Sequence, residues 1–135
     1  MQSCDQNQPC RLLVVDDESI VGKRLRQVFS KMGFEIETFV DGAPAMAAMI
    51  EKPFDVVVTD LKMADMDGME VLRQVRLLYP TTRVIIITGY ADEATAEKAR
   101  QLGVFEFLAK PFRLDTLKDM VFRALEAKRQ DDLQG

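Results

Sequence analysis

Five polar residues stand where apolar runs stop, and their types fit one another. Asp16 and Asp17 follow RLLVV (11–15), Asp60 follows FDVVVT (54–59), Thr88 ends RVIIIT (83–88), and Lys110 follows FEFLA (105–109). Carboxylates crowded together must either hold protons or share a cation. An all-oxygen ligand set suits a hard ion such as Mg²⁺, which keeps several waters of its own. Lys110 has the wrong sign for a metal ligand; with the Thr88 hydroxyl it suits an anion, and phosphate is the natural one. A cation on one side and phosphate ligands on the other point to phosphoryl transfer, which is mostly positioning and charge neutralisation. Asp60, between the two, is placed to be the nucleophile that becomes an acyl phosphate. Taken singly, each residue has a plainer explanation: a turn or cap for the aspartates, a strand-end hydroxyl for Thr88, a solvated charge for Lys110. Their convergence is what makes a site.

The chain's absences narrow the chemistry. It has no histidine, so neither a Ser-His-Asp arrangement nor a histidine-held zinc can form. Neither a Walker A pattern nor GxGxxG occurs. A net charge of −4 gives no electrostatic footprint for nucleic acid, which argues against direct contact with it. No apolar run reaches the length of a membrane span, and the leader MQSCDQNQPC lacks the apolar core of a signal peptide. The cytoplasm is the expected location. Cys4 and Cys10 fall in that polar leader and are expected to be exposed bystanders rather than parts of a metal site or disulfide framework.

The elements that must carry these residues follow from periodicity. RLLVV is a buried-type strand, and Val21, Leu25, Val28, Phe29 and Met32 recur at helical spacing before Gly33 closes the helix. FEIETF (34–39) alternates as a half-exposed strand does, and Asp41-Gly42 turns the chain into a helix over 43–51 with Pro44 in its first turn. FDVVVT and RVIIIT are continuous apolar strands. Between them Met69, Leu72 and Val75 mark a helix that ends before Pro80, with Asp65 and Asp67 as loop and cap residues ahead of it. Asp92 can cap a helix ending at Gly103, and Leu114, Leu117, Val121 and Leu125 set the last one, with Lys128 and Arg129 in its last turn and QDDLQG trailing away. The methionines at 46, 49, 63, 66 and 69 read as core and loop filler.

Strand and helix thus alternate through five βα units, which predicts an α/β fold: one doubly wound parallel sheet covered on both faces, with the flavodoxin-like strand order 2-1-3-4-5. In that order the first and third strands are neighbours, so Asp16, Asp17 and Asp60 meet at one edge with Thr88 and Lys110 on the flank. Residues 1–9 are expected to form a flexible leader, 10–127 one domain, and 128–135 a tail or the start of a linker.

Four stretches, LLVVDDE (12–18), VVVTDLKMADMDGMEVL (56–72), IIITGY (85–90) and FLAKPF (107–112), together resemble the receiver domain of two-component response regulators over roughly residues 10–127. The resemblance implies that Asp60 accepts phosphate from a sensor histidine kinase or phosphotransfer protein. It implies that Asp16, Asp17, Asp60 and the Lys62 backbone carbonyl hold Mg²⁺, with Mn²⁺ as the alternative ion. Thr88 would bond a phosphoryl oxygen, Lys110 would pair with the phosphate, and Lys110-Pro111 would be cis. Phe107 resembles the family's switch aromatic, although as bare sequence it is equally a core residue of its strand. Phosphorylation would then change the surface of the fourth helix, fifth strand and fifth helix, which would control an output domain or partner and is the candidate face for a homodimer. Lys62 and Tyr90 flank the path of hydrolytic water and are expected to tune the acyl-phosphate lifetime. Where the family often has proline this chain has Ala64, so a less stiff loop is expected there.

Such a chain is a switch rather than a turnover enzyme. A Mg²⁺-dependent phosphohydrolase with an aspartate nucleophile is the main rival, but that class usually wants a DxD pair and a cap domain, for which 135 residues leave no room. A non-phosphorylated interaction module and a flavin-binding domain would also suit this fold. The complete acidic set speaks against the module, and the acidic Asp16-Asp17-Glu18 run would repel a flavin phosphate.

Overall fold

The computed structural model describes residues 9–63 and 65–134. The elements run β1 (Arg11–Val15), α1 (Ser19–Lys31), β2 (Glu35–Phe39), α2 (Gly42–Glu51), β3 (Val56–Thr59), α3 (Gly68–Leu78), β4 (Arg83–Thr88), α4 (Glu93–Gln101), β5 (Glu106–Ala109) and α5 (Leu114–Gln134). All strand pairs are parallel, and the sheet order is β2-β1-β3-β4-β5.

The continuous apolar runs have their explanation in the two faces of this sheet. Leu12, Val14, Val56, Val58, Ile85 and Ile87 point to one side, against Leu25 and Phe29 of α1 and Leu117, Val121 and Leu125 of α5. Leu13, Val15, Val57, Val84 and Ile86 point to the other, against Met46 and Met49 of α2, Val71, Leu72 and Val75 of α3, and Ala99 of α4. Side chains alternate along a strand, so a strand covered on both faces must be apolar at every position. The edge strands β2 and β5 are only half covered, and in β2 the charged Glu35 and Glu37 flank the buried Ile36.

Two expectations need correction. The polar stretch from Gln130 does not trail away: α5 continues to Gln134. Arg83 pairs with Asp131, while Lys128 reaches Asp55 at 3.3 Å and Asp132 at 2.6 Å, so charged groups at the base of the sheet hold these last turns. Cys10 is not an exposed bystander either. It is 2% exposed, packs in the core beneath α5, and is not a free thiol. It directly precedes β1, and Glu35 N–H donates to its carbonyl, so it is already part of the sheet's edge. Cys4 and the rest of the expected leader through residue 8 lie outside the described residues, as does Ala64 with the expectation about loop stiffness.

Candidate functional site

Hydrogen bonding of the strand ladder continues one residue past the strands and fixes the backbone of the site. Asp16 N–H donates to Phe39 O at 2.9 Å, Asp60 N–H to Val15 O at 2.8 Å, and Lys110 N–H to Thr88 O at 2.9 Å. Each chemical residue is therefore pinned by the neighbouring strand. The chain then leaves Asp60 through a close pass. A Cβ on Gly68 would overlap the Asp60 carbonyl oxygen and stand 2.9 Å from its carbon, so only glycine lets the head of α3 lie against the strand tip.

Asp16, Asp17 and Asp60 each place a carboxylate oxygen within 4.8 Å of the other two, a group that could hold a metal ion. Asp16 and Asp60 are buried and Asp17 is exposed. At such separations each pair of charges repels by roughly 3 kcal/mol for an effective dielectric constant of ~20. Lys110 supplies the opposing charge: its Nζ stands 2.8 Å from Asp16 Oδ2, 2.7 Å from Glu18 Oε1 and 3.0 Å from Asp60 Oδ2. Burial would lower the Lys110 pKa, but its close contacts with the Asp16, Glu18 and Asp60 carboxylates outweigh that and hold the ammonium above the ordinary lysine range. Asp60 Oδ1 also accepts from Leu61 N–H at 2.6 Å.

Asp16 is the uncomfortable member. Its Oδ1 accepts from Glu18 N–H at 2.8 Å, while its buried Oδ2 has no hydrogen bond of good geometry and meets only the Lys110 charge. Burial raises its pKa, and the Lys110 and Glu18 contacts offset this only in part. With a raised folded-state value, Asp16 favours the fold below its ordinary 3.8, and that contribution is lost as pH rises through the elevated value. The charge thus opposes folding at neutral pH. Asp16→Asn is therefore expected to raise the melting temperature at pH 7 in EDTA, with the gain vanishing toward acid pH. A lower melting temperature for this variant at pH 7 would contradict the assignment.

A cleft of about 420 Å³ opens over the triad, lined by Asp17, Glu18, Asp60, Lys62, Gly89, Tyr90 and Lys110. Lys62 Nζ lies 5.1 Å over the Tyr90 ring centroid at its mouth. Thr88 is fully buried at the end of β4, and its Oγ1 accepts from Tyr90 N–H at 3.1 Å, which leaves its own proton to donate. Phe107 is half-buried on the α3–α4 side of the sheet and is not part of the cleft wall. The Lys110-Pro111 peptide is cis. Sequence reasoning misses Glu18 as a site residue; its carboxylate reaches Lys110 across 92 residues of chain. Its place directly after Asp17 is the available signal.

A five-stranded parallel sheet with an acidic triad and one lysine gathered at its carboxyl edge defines the receiver class of signalling domain. This chain belongs to the response regulator receiver domain family, whose model matches residues 12–122. It is 39% identical over 116 residues to Regulatory protein AtoC of Escherichia coli (strain K12), covering 86% of this chain and 25% of that one. It is 31% identical over 118 residues to Sporulation initiation phosphotransferase F of Bacillus subtilis (strain 168), covering 87% of this chain and 95% of that one. A crystal structure of a receiver domain protein from Clostridium thermocellum superposes with a TM-score of 0.83 at 32% identity, covering 90% of this chain and 98% of that one. The chain spans about a quarter of the length of the larger regulators it matches. Among the described residues, no helix is long and apolar enough to cross a membrane.

Proposed function

We propose that this chain is the phosphoacceptor of a two-component pathway in the cytoplasm, with Asp60 as the residue that takes the phosphoryl group. The observation that carries this is the meeting of Asp16, Asp17 and Asp60 within 4.8 Å, with Lys110 Nζ 3.0 Å from Asp60 Oδ2. Asp16, Asp17, Asp60 and the Lys62 backbone carbonyl would hold Mg²⁺, or Mn²⁺ in its place. The donor set is all oxygen and anionic, as a hard cation requires. Bound there, the ion would neutralise charge on the transferring phosphoryl oxygens.

In the transfer step an Asp60 carboxylate oxygen bonds to phosphorus as the P–N bond of the donor phosphohistidine breaks and its electron pair returns to the imidazole. Lys110 exchanges its carboxylate contact for a phosphoryl oxygen, and the Thr88 hydroxyl donates to another. Hydrolysis restores the start: water attacks phosphorus, the bond to Asp60 breaks, and inorganic phosphate leaves. The chain therefore cycles as a switch rather than turning over a substrate.

Phosphate favours the arrangement in which Thr88 and Phe107 have moved toward the site, and so shifts the population toward it. The surface that changes is α4–β5–α5. Ala99 is the one buried residue of α4, so this helix can shift at the smallest packing cost. That surface would control an output domain or partner protein, or a second copy of the chain. Ile20, 73% exposed on α1 beside the site, offers an apolar anchor for the kinase or phosphotransfer protein. The name phosphotransferase F, borne by a relative of nearly the same length, agrees with a phosphoryl-handling role.

Incubation with acetyl phosphate tests the proposal. One phosphoryl group per chain is expected with Mg²⁺ and none in EDTA; uptake indifferent to EDTA would remove the cation from the scheme. Lys62 and Tyr90 are proposed to obstruct the attacking water. Lys62→Ala and Tyr90→Ala should each speed dephosphorylation by a factor of roughly two to five, the equivalent of one exposed cation–π contact. Unchanged rates would take both residues out of that role.

A further inference from the structure

Asp65 ties together two elements from outside the site. Its Oδ1 accepts from Gly42 N–H at 3.2 Å and its Oδ2 from Ala43 N–H at 3.3 Å, while Oδ1 also accepts from Met66 N–H at 2.6 Å. Gly42 and Ala43 open α2, whose own N-cap residue, Asp41, makes no side-chain cap hydrogen bond. The helices α3 and α4 are capped by the aspartate directly before them, Asp67 to Glu70 N–H and Asp92 to Thr95 N–H. At α2 that task passes to a carboxylate 22 and 23 residues further on. Asp65 is thus a cap, as its place in the sequence suggests, but for a different helix.

A second contact reinforces the first. A Cβ on Gly42 would stand 2.8 Å from both the Cβ and the carbonyl oxygen of Met66, so glycine is what lets the β3–α3 loop seat against α2. The same loop is tied to the site at its root. Leu61 N–H donates to Asp60 Oδ1 at 2.6 Å, and Gly68 N–H donates to Leu61 O at 2.9 Å. Lys62 lies between the root and the seat. The Met66 amide above all, joined by those of Ala43 and Gly42, holds the Asp65 carboxyl below the ordinary range against an opposing desolvation, so it is charged at neutral pH. A carboxylate at a helix N-terminus is also favoured by the helix dipole.

We infer that Asp65 is a positioning residue: by clamping the β3–α3 loop to the head of α2, it sets where the Lys62 carbonyl stands relative to Asp16, Asp17 and Asp60, and so sets the affinity of the site for Mg²⁺. The inference rests on the proposal that those residues hold the cation. A loop already seated loses less freedom when a cation binds, which is the advantage of the clamp.

Mg²⁺ titration of the full chain by calorimetry, for wild type, Asp65→Ala, Asp65→Asn and Asp92→Ala, tests it. Asp65→Ala should weaken Mg²⁺ binding roughly tenfold, the lower end for loss of an outer partner of a metal ligand. Asp65→Asn, which keeps one acceptor oxygen, should fall between it and wild type. Asp92→Ala loses a cap of the same chemistry on α4 and should stay within about twofold of wild type. If Asp65→Ala melts earlier yet binds Mg²⁺ as wild type does, Asp65 is an ordinary helix cap and the inference fails. Should Asp65→Ala not fold, hydrogen exchange of metal-free Asp65→Asn decides. Faster exchange at the Leu61 and Gly68 amides, neither bonded to Asp65, supports the clamp; unchanged exchange overturns it. A wild-type chain that binds no Mg²⁺ would overturn the inference together with the proposed function, whereas normal wild-type binding with an indifferent Asp65→Ala overturns the inference alone.

Discussion

Asp60→Asn is expected to leave a folded chain that takes up no phosphoryl group. Asparagine matches the shape of aspartate and can keep the acceptor that faces Leu61 N–H, but it has no nucleophilic oxygen to offer phosphorus. Loss of a nucleophile typically lowers a group-transfer rate by a factor on the order of 10³ or more, which here means no detectable uptake from acetyl phosphate. Stability should not fall with it. The variant removes two carboxylate repulsions within the triad and loses one ion pair, that to Lys110. The melting temperature in EDTA should therefore equal or exceed that of wild type. A variant that fails to label because it is unfolded would show that the loss is structural, and one that labels normally would move the phosphoacceptor elsewhere.

Gly68→Ala is expected to damage both fold and site. The added Cβ meets only backbone: the carbonyl oxygen and carbon of Asp60, and Leu61 Cα at 3.0 Å. No flexible side-chain end is available to swing aside, so either the strand tip or the head of α3 must move. Overpacking of this kind costs ~3 kcal/mol, which lowers the melting temperature of a chain this size by roughly 10 °C. Moving Asp60 also displaces one corner of the triad, so uptake of phosphate should drop well beyond what the population of folded chain explains. A Gly68→Ala chain with wild-type melting and wild-type labelling would mean that the close pass is not as tight as described.

The strands are legible in the sequence because burial on both faces leaves no room for a polar residue until the strand ends. That same rule makes Asp16, Asp17, Asp60, Thr88 and Lys110 stand out, and the parallel order then places them on one edge. Side-chain partnerships across long stretches of chain are not legible. Glu18 reaching Lys110 and Asp65 capping α2 depend on how loops fold back, and neither leaves a local pattern. The last turns of α5 are invisible for a related reason. EAKRQDDLQ has no apolar stripe to announce a helix, and what fixes it is charge on other elements, Arg83 on β4 and Asp55 just before β3. Cys10 reads wrongly because its polar neighbours on the N-terminal side outweigh the strand that begins one residue later.

The most direct measurement of the central claim is reductive trapping. An acyl phosphate is reduced by borohydride to the corresponding alcohol with release of phosphate, which converts a phosphorylated aspartate into homoserine. After incubation with acetyl phosphate and Mg²⁺ and treatment with borohydride, peptide mapping should find homoserine at position 60 alone, and nowhere when EDTA is present. Homoserine at another aspartate, or none at all from a chain that binds Mg²⁺, would contradict the assignment of Asp60 as the residue that carries the signal.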